Sequence, residues 1–289
     1  MIVMRLKGGL GNQLFQYALG RYLASIHNTQ LQLDTSSFKT DHLREYRLDS
    51  FNIDASASDK LPFFATDGRA KHLNRLIQAV RGLFSQPFQI IKEKDFSFDP
   101  TVLECSEQSY LDGFWQSEKY FLPIAATIRS DLSLKSPIKG LLKEVIEKIQ
   151  TTNSVSIHVR RGDYVSNPTT TAYHGVCGAE WYIKAAEQMQ SQVENPTFFV
   201  FSDDYEWAKE NLTFSSETIF IPPSPDGQEC NDMHVMSLCK HNVIANSSFS
   251  WWAAWLNTNP HKIVIAPKNW FVAGPKNTSD LIPSAWHRI

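Results

Sequence analysis

Short apolar runs and amphipathic stretches alternate along most of this chain. Residues 2–6 (IVMRL) form a mainly apolar run typical of a buried strand, and a glycine-rich turn follows at 8–11. Residues 12–27 then carry apolar side chains at three- and four-residue spacing, which predicts a helix. LQLD at 31–34 predicts the next strand, so the chain opens as a β-α-β unit.

A second and more regular alternation begins after residue 153. The pattern predicts strands at SVSIHVR, TFFVFS, ETIFI, NVIA and KIVIAP, separated by helices near 179–192, 204–212, 231–240 and 249–257. This order favours a parallel sheet covered by helices on both faces. Such sheets bind ligands beyond the carboxyl ends of their strands.

The middle of the chain is less regular. Between 35 and 108 the one helical candidate is at 71–84; SYLDGFW then predicts a strand, and helices follow near 117–132 and 137–150. At 289 residues the chain exceeds a typical single domain of roughly 100–200 residues. We therefore expect an α/β protein with an N-terminal lobe at 1–152 and a C-terminal lobe at 153–289.

Composition narrows the class of protein. The 28 basic and 30 acidic side chains nearly balance, which disfavours nucleic acid as a partner. No apolar run reaches the roughly 18 residues of a membrane span, and the N-terminus lacks a signal-peptide pattern. We expect a cytoplasmic protein without an integral membrane segment, able to lie peripherally at the inner membrane face. The cysteines form no CxxC pair, and the spacing of four Cys and His residues predicts a buried cluster rather than a zinc site: Cys230, His234, Cys239 and His241.

The most distinctive segment is HVRRGDY at 158–164, at the predicted end of a parallel strand. The planar fork of donors on Arg160 suits a phosphate group, and Arg161 adds a second charge. A surface salt bridge to Asp163 is the simpler interpretation, which the position at a strand end disfavours. The segment also contains an Arg-Gly-Asp tripeptide. Tripeptides of this kind occur in many sequences by chance, so we assign it no role in cell adhesion.

A second segment, NSSFSWW at 246–252, lies where a strand ends and a helix begins. Serines there can simply cap the helix. Ser247, Ser248 and Ser250 can also form an anion cradle with the N–H groups of the helix start. Together with Arg160 they predict a diphosphate site. The tryptophans that follow at helical spacing are expected in the core.

Asp203 and Asp204 end another predicted strand. They can bind a metal, cap the following helix, or accept hydrogen bonds from a base or ribose. No Asp-x-Asp occurs in the chain, so the arrangement with which many nucleotide-sugar enzymes chelate a metal is missing. We favour base recognition by one of the two and predict no metal site.

The turn GGLGNQ at 8–13 is an incomplete dinucleotide fingerprint, because Leu14 stands where the third glycine belongs. Asp34 at the end of the next strand keeps a nicotinamide- or flavin-dependent oxidoreductase as an alternative. A turn that brings backbone and the Asn12 amide close to a ligand is favoured.

Five segments carry a family resemblance: GGLGNQLFQYA, LDGFWQSEKYF, HVRRGDY, FSDD and ANSSFSWWAAWL. In this order they resemble the diagnostic blocks of the inverting alpha-1,2-fucosyltransferases of glycosyltransferase family 11. Leu14 and Ala253 depart slightly from that pattern. Residues 35–105 match no block, so acceptor choice is least constrained there.

The resemblance implies a GT-B architecture, with two Rossmann-like lobes and a cleft between them. It implies transfer of L-fucose from GDP-beta-L-fucose to a galactose-terminated oligosaccharide or glycolipid, with GDP-fucose bound by the C-terminal lobe. Arg160 would hold the pyrophosphate, while His158 and Asp204 would contact guanosine. The full implied donor-binding set is His158, Arg160, Arg161, Asp204, Ser247, Ser248, Phe249, Ser250, Gly11 and Asn12.

The resemblance and the chemistry of the reaction together imply further roles. Without a metal or other cofactor, Arg160 would stabilise the negative charge that develops on the GDP leaving group. By the resemblance, Asn12 would reach the reaction centre. Asp163 and His174 are both candidates for the general base that accepts the acceptor proton. A non-catalytic glycan-binding protein, using its tryptophans to stack sugars, is the remaining alternative class.

Overall fold

The computed structural model describes residues 1–60, 88–225 and 227–289. Within these residues the chain forms two compact units, Met1–Ser133 and Leu134–Ile289. Each is an α/β unit built on one sheet in which all described strand pairings are parallel. The predicted α/β class with two parallel sheets is confirmed. The helical candidate at 71–84 lies outside the described residues.

The first unit has five described strands in the order β3-β2-β1-β5-β4. The strands are β1 (Ile2–Arg5), β2 (Leu31–Asp34), β3 (Ser56–Ser58), β4 (Gln89–Lys92) and β5 (Ser109–Asp112). Helix α1 (Leu10–Ile26) connects β1 to β2, as predicted, and helix α2 (Ala125–Asp131) follows β5. The helix predicted near 117–132 is interrupted: 3-10 turns at Glu118–Tyr120 and Leu122–Ile124 precede α2, and Pro123 lies in the second of them. Sequence pattern also missed the short strands β3 and β4.

The second unit has six described strands in the order β11-β10-β9-β6-β7-β8. They are β6 (Asn153–Val159), β7 (Pro196–Ser202), β8 (Thr218–Ile221), β9 (His241–Val243), β10 (Val264–Ala266) and β11 (His287–Arg288). The helices are α3 (Leu141–Thr151), α4 (Gly162–Ser166), α5 (Pro168–His174), α6 (Ala179–Gln190), α7 (Tyr205–Asn211), α8 (Glu229–Leu238) and α9 (Ser248–Leu256). The two short helices α4 and α5 were not predicted.

The division between the units falls after Ser133, whereas the sequence pattern placed it after residue 152. The difference is helix α3, which packs against α8 and β6 and so belongs to the second unit. Its amphipathic pattern shows that one face is buried but not which sheet it covers.

The core of the second unit explains where its polar groups lie. Every residue of β7 is buried, and Phe198 and Val200 pack with Ile157 of β6 and Tyr182 of α6. With both faces of β6 and β7 covered, polar side chains of these strands can approach solvent mainly at the strand ends. The carboxyl ends of β6, β7 and β9 therefore carry the distinctive residues of this unit.

Candidate functional site

The carboxyl edge of the second sheet brings three sequence segments together. Strand β6 pairs with β7 on one side and β9 on the other, so the loops that follow these strands are neighbours. The segments at 158–164, 203–204 and 246–250 span those strand ends, the loops and the helix starts that follow them. The three segments meet at one edge of the sheet because the strands that precede them are parallel, as the sequence analysis expected.

Arg160 lies between two carboxylates. Its Nη2 is 2.5 Å from Asp163 Oδ1, and its Nη1 is 2.7 Å from Asp203 Oδ2. Its side chain is 21% exposed, its guanidinium carbon lies 5.3 Å from the centre of the Tyr164 ring, and its buried Nε has no hydrogen-bond partner among the described residues. The salt bridge to Asp163 is therefore real, and the sequence did not predict the second bridge to Asp203. The guanidinium is held in one orientation by groups on two strand ends.

Asp203 also contacts the loop that carries the arginines. Its Oδ1 accepts a hydrogen bond of 2.8 Å from the backbone N–H of Arg161. A Cβ on Gly162 would lie 2.6 Å from Asp203 Oδ2, so a side chain there would displace the carboxylate. Glycine at position 162 thus leaves room for Asp203 to approach the loop.

Arg161 has a different environment from Arg160. Its Nε lies 3.0 Å from Asp204 Oδ2, and its guanidinium carbon lies 3.7 Å from the centre of the Trp207 ring. Asp204 also accepts a hydrogen bond from Trp207 N and so caps α7. The capping role of Asp204 is observed. The assignment of Asp204 to guanosine stays a prediction. Its carboxylate already has two partners, Arg161 and the backbone N–H of Trp207.

Charge in this cluster differs from a simple cationic cradle. Two arginines are matched by three carboxylates, those of Asp163, Asp203 and Asp204. The nearby His158 adds no charge near neutral pH, because burial, reinforced by the charge of Arg160, lowers the pKa of its imidazole from 6.5 to about 3. The cluster therefore orients guanidinium groups rather than presenting a net positive field.

His158 lies at the end of β6 with 5% exposure. Its ring centre is 5.3 Å from that of Phe249, and the planes are tilted by 40°. Its Nδ1 is buried and has no hydrogen-bond partner among the described residues. A neutral imidazole with an unsatisfied ring nitrogen, beside a half-buried phenyl ring, can present a polar atom and an apolar face to a planar group.

The start of α9 only partly matches the predicted serine cradle. Ser247 is the N-cap residue, but its hydroxyl makes no capping bond, and Ser248 and Phe249 are half-buried. Ser250 is fully buried, and its Oγ lies 3.2 Å from the Ser247 carbonyl and 3.4 Å from that of Ala245. This hydroxyl donates to backbone carbonyls at the helix start, and its role in the anion cradle stays a prediction. The first N–H groups of α9, which have no intrahelical acceptor, remain as donors.

Asn246 is a buried residue that sequence reasoning passed over. Its Nδ2 donates to the carbonyls of His174 and Trp270 at 2.9 and 3.2 Å. It therefore joins the loop after β9 to the end of α5 and to the loop after β10. Its place directly before the serines was the signal available in the sequence.

His174 is held in an aromatic cluster at the end of α5. Its ring stacks on Tyr164 at 4.7 Å and 15°, and it also contacts Phe271 at 5.4 Å. Tyr164 in turn donates a hydrogen bond to the Asn246 carbonyl. His174 thus lies at the same sheet edge as Asp163, and the structure brings both base candidates into one neighbourhood.

In the first unit, the turn between β1 and α1 is fixed by buried amides. Gln13 is fully buried, its Nε2 donates to the carbonyls of Gly8 and Glu45, and its Oε1 accepts from Arg47 N. Gln16, also fully buried, contacts the backbone of Lys7 and Gly113 in the same way. These two glutamines hold the turn in place, and the sequence analysis missed both.

Asn12 is oriented from two sides. Its Oδ1 accepts a hydrogen bond of 2.6 Å from Gln116 Nε2. Its Nδ2 lies where a Cβ on Gly8 would be only 2.5 Å away, and Gly8 has a φ of 79°. Gly8 is therefore required both by its backbone and by the Asn12 amide. Gly11 is buried inside α1, so a donor contact by its backbone remains a prediction.

Asp34 does not resemble a ribose-binding carboxylate. It is 2% exposed, and it accepts hydrogen bonds from Tyr110 Oη at 2.7 Å and from Ser36 N at 2.9 Å. The feature that kept an oxidoreductase open thus has a structural role. Among the described residues no group of three or more His, Cys, Asp or Glu side chains is placed to hold a metal ion, and no helix is long and apolar enough to cross a membrane.

With this geometry in place, similarity to known proteins decides the class. The profile of Glycosyl transferase family 11 matches residues 1–287. The chain belongs to this family. It is therefore a glycosyltransferase, and the resemblance carried by the five sequence segments is confirmed.

Relatives of this family 11 enzyme span a range of similarity. It is 38% identical to an alpha-1,2-colitosyltransferase of Escherichia coli over 100% of this chain and 99% of that protein. It is 29% identical to galactoside alpha-(1,2)-fucosyltransferase 1 of Leontocebus fuscicollis over 50% of this chain and 42% of that protein. A solved structure of NodZ alpha-1,6-fucosyltransferase soaked with GDP-fucose superposes with a TM-score of 0.49 at 14% identity, covering 88% of this chain and 91% of that one.

Proposed function

We propose that this family 11 enzyme transfers L-fucose from GDP-beta-L-fucose to the 2-hydroxyl of a terminal galactose. The acceptor is an oligosaccharide or glycolipid, and the reaction inverts the anomeric centre without a metal ion. Support comes from family membership and from the 1,2-linkage named for both relatives. The observation that carries the proposal is the guanidinium of Arg160, held by two carboxylates at the sheet edge where α9 begins.

The reaction is a single displacement at the anomeric carbon of fucose. The galactose 2-oxygen forms the new glycosidic bond, the bond from carbon to the β-phosphate oxygen breaks, and both of its electrons leave with GDP. Negative charge develops on the diphosphate, so donors fixed in advance stabilise the transition state. Arg160 uses one N–H on each terminal nitrogen for Asp163 and Asp203, which leaves further donors of its fork for phosphate oxygens. The N–H groups at the start of α9 supply additional donors.

The proton of the acceptor hydroxyl goes to a base or to solvent. Asp163 is paired with Arg160 and already holds its guanidinium. The His174 ring stacks on that of Tyr164 at the same sheet edge. Of the two, His174 is better suited to accept the proton, and Asp163 to hold the guanidinium.

We assign the donor to the second unit and the acceptor to the first. His158 and Phe249 would contact the guanine base, with the base resting on the phenyl face and the unsatisfied Nδ1 of His158 available for a hydrogen bond. In the first unit the oriented amide of Asn12 would contact the reacting sugar hydroxyls.

Colitosyl transfer is a second candidate function, favoured by the 38% identity to an alpha-1,2-colitosyltransferase over the whole chain. Colitose differs from fucose by lacking the 3-hydroxyl. A site that hydrogen-bonds this hydroxyl would reject the deoxy sugar strongly, whereas an apolar site would discriminate weakly. The two candidate donors thus differ in the 3-hydroxyl of the sugar, and an experiment with both donors distinguishes them.

The test compares GDP-fucose, GDP-colitose and GDP-mannose as donors with a β-galactoside acceptor, measuring GDP release and product structure by NMR. We expect fucosyl transfer to the galactose 2-oxygen with an α-linkage. A preference for GDP-colitose would show that colitose, and not fucose, is the transferred sugar. The residues assigned to the donor site would stay the same. Absence of GDP release from all three donors, in a folded protein, would contradict the proposal.

A further inference from the structure

A cavity of about 200 Å³ lies in the first unit, at the carboxyl ends of β4 and β5. Three aromatic residues contribute to its wall: Phe98, Trp115 and Tyr120. Its charged lining comes from two lysines and three carboxylates: Lys92, Lys94, Glu93, Asp95 and Asp99. The reaction as described above does not use this cavity.

The wall of the cavity is built around Glu93. Its two carboxylate oxygens accept hydrogen bonds from the backbone N–H groups of Phe114 and Trp115, at 2.7 and 2.8 Å. Gly113 has no room for a side chain, because a Cβ would lie 2.5 Å from Glu93 Cβ and 2.6 Å from Trp115 Cε2. Trp115 adopts a φ of 57°, which is rare for a non-glycine residue and is found where surrounding structure enforces it, often at binding sites.

The aromatic wall is held rigidly. The Tyr120 ring contacts Phe98 at 4.8 Å and Trp115 at 5.8 Å, both edge to face. The Tyr120 hydroxyl accepts a hydrogen bond from Asp99 N. Because these contacts fix all three rings, a ligand that enters the cavity meets a preformed wall in which Phe98 is the half-buried ring, and binding costs little side-chain freedom.

Trp115 also carries an unused donor. The residue is 1% exposed, and its Nε1 has no hydrogen-bond partner among the described residues. A buried indole N–H normally finds an acceptor. A ligand oxygen in the cavity could supply one.

Size and charge select the class of ligand. Pockets for drug-sized molecules occupy roughly 300–1,000 Å³, so this smaller cavity suits a single sugar ring. Its two lysines and three carboxylates give no excess positive charge for a phosphate. Aromatic faces beside carboxylates and a lone N–H donor suit a neutral pyranose, which has apolar C–H faces and a rim of hydroxyls.

We propose that this cavity binds one hexopyranose ring of the acceptor glycan and thereby determines acceptor specificity. The inference rests on the proposed function, because it requires a glycan acceptor. Trp115 directly precedes Gln116, whose Nε2 donates to Asn12. The same loop therefore links the cavity to the amide assigned to the reacting sugar, so a neighbouring ring of the acceptor can occupy the cavity.

Phe98→Ala tests the wall, since Phe98 is half-buried and its truncation removes one aromatic face. Trp115→Phe keeps a ring and removes the N–H. Ile90→Ala is the matched control, because Ile90 lies on β4 with 60% exposure and does not line the cavity. Thermal unfolding of each variant establishes that it is folded.

We expect Phe98→Ala to raise the acceptor KM about tenfold or more, the effect of losing a central aromatic contact. The kcat, the affinity for GDP and the rate of donor hydrolysis without acceptor should stay within about threefold of wild type, while the control leaves all four unchanged. Equal effects in the control, or a loss confined to GDP affinity, would overturn the subsite.

Binding is also measured without turnover, by saturation-transfer NMR of a galactose-terminated oligosaccharide with wild type, Phe98→Ala and Trp115→Phe. We expect a signal from one ring that weakens in both variants. This result supports the subsite even if no GDP-sugar proves to be a donor. An unchanged signal in both folded variants would overturn the subsite while leaving the proposed transfer reaction intact.

Discussion

The Asp203 carboxylate bridges the loop that carries the two arginines, with Oδ2 at 2.7 Å from Nη1 of Arg160 and Oδ1 on the backbone N–H of the next residue. One carboxylate at the end of β7 thus orients a guanidinium at the end of β6. A fixed guanidinium is worth more to a transition state than a mobile one, because no reorganisation is needed when charge develops.

Asp203→Asn tests this orientation. The amide can keep one contact but loses the ion pair, so we expect kcat to fall at least about tenfold, or 1.4 kcal/mol of activation free energy. GDP affinity should change by less than about threefold, because the variant also removes a negative charge near the diphosphate. Steady-state kinetics and calorimetric titration with GDP measure the two effects. The exposed Glu206→Gln on α7 is the control, and a kcat equal to that control would show that Asp203 has no positioning role.

Arg160→Lys keeps the charge and loses the planar fork. We expect kcat/KM to fall at least about a hundredfold, equivalent to about 2.7 kcal/mol of transition-state stabilisation. Arg160→Ala should be worse and should also destabilise the fold, because it leaves Asp163 and Asp203 facing each other without a cation. Unfolding midpoints and kinetics are measured together. A folded Ala variant with near-normal turnover would remove Arg160 from the mechanism.

His158 predicts a pH dependence of stability. Burial and the charge of Arg160 lower its pKa from 6.5 to about 3, so in acid the unfolded chain takes up a proton that the folded protein does not. This contribution to stability is present above the unfolded pKa and is lost as the pH falls toward the folded pKa. Between pH 7 and 5 the loss amounts to about 2 kcal/mol of unfolding free energy.

The matching experiment is urea unfolding of wild type and His158→Gln at pH 7 and pH 5. We expect the variant to lose about 2 kcal/mol less than wild type between these two values, since it lacks the titrating group. His287→Gln, on an exposed strand, is the control. Equal pH dependence in wild type and His158→Gln would show that this imidazole is not held neutral by the fold.

The proposed mechanism uses arginine and N–H donors in place of a divalent cation. We therefore expect transfer to survive EDTA and GDP to bind equally well with and without magnesium or manganese. Activity assays and GDP titrations in chelator measure this. Loss of activity in EDTA that manganese or magnesium restores would contradict the metal-independent mechanism.

Gln13→Glu tests the turn that presents Asn12. The substitution replaces the Nε2 donor to the Gly8 and Glu45 carbonyls by an oxygen, and buries a charge or an extra proton. We expect a loss of about 2–4 kcal/mol in unfolding free energy, because buried polar groups are left unsatisfied. Chemical denaturation compares it with the exposed Gln192→Glu. A loss no greater than that of the control would show that the glutamine is not essential to the turn.

Periodicity and local composition by themselves determined the α/β class, the opening β-α-β unit and most strands and helices of the second unit. They also placed Arg160, Asp204 and Ser247 at strand ends, because apolar runs stop where parallel strands leave the core. The five sequence segments were enough to assign the family. Side-chain patterns over a few residues contain this information, since they record which positions are buried.

Tertiary structure alone decided which partners these groups have. Arg160 pairs with Asp203 because β6 and β7 are adjacent, although Asp203 lies 42 residues after Arg161. The Ser250 hydroxyl donates to a backbone carbonyl at the start of its own helix. The glutamines that follow the first glycine turn are buried and bind backbone groups, because folding brings these groups close to them. The cavity around Glu93 is formed by two loops that are separated in sequence. Trp115, whose N–H donates to Glu93, lies 22 residues after it. Periodicity identifies buried faces, but strand order and loop packing determine which polar atoms meet.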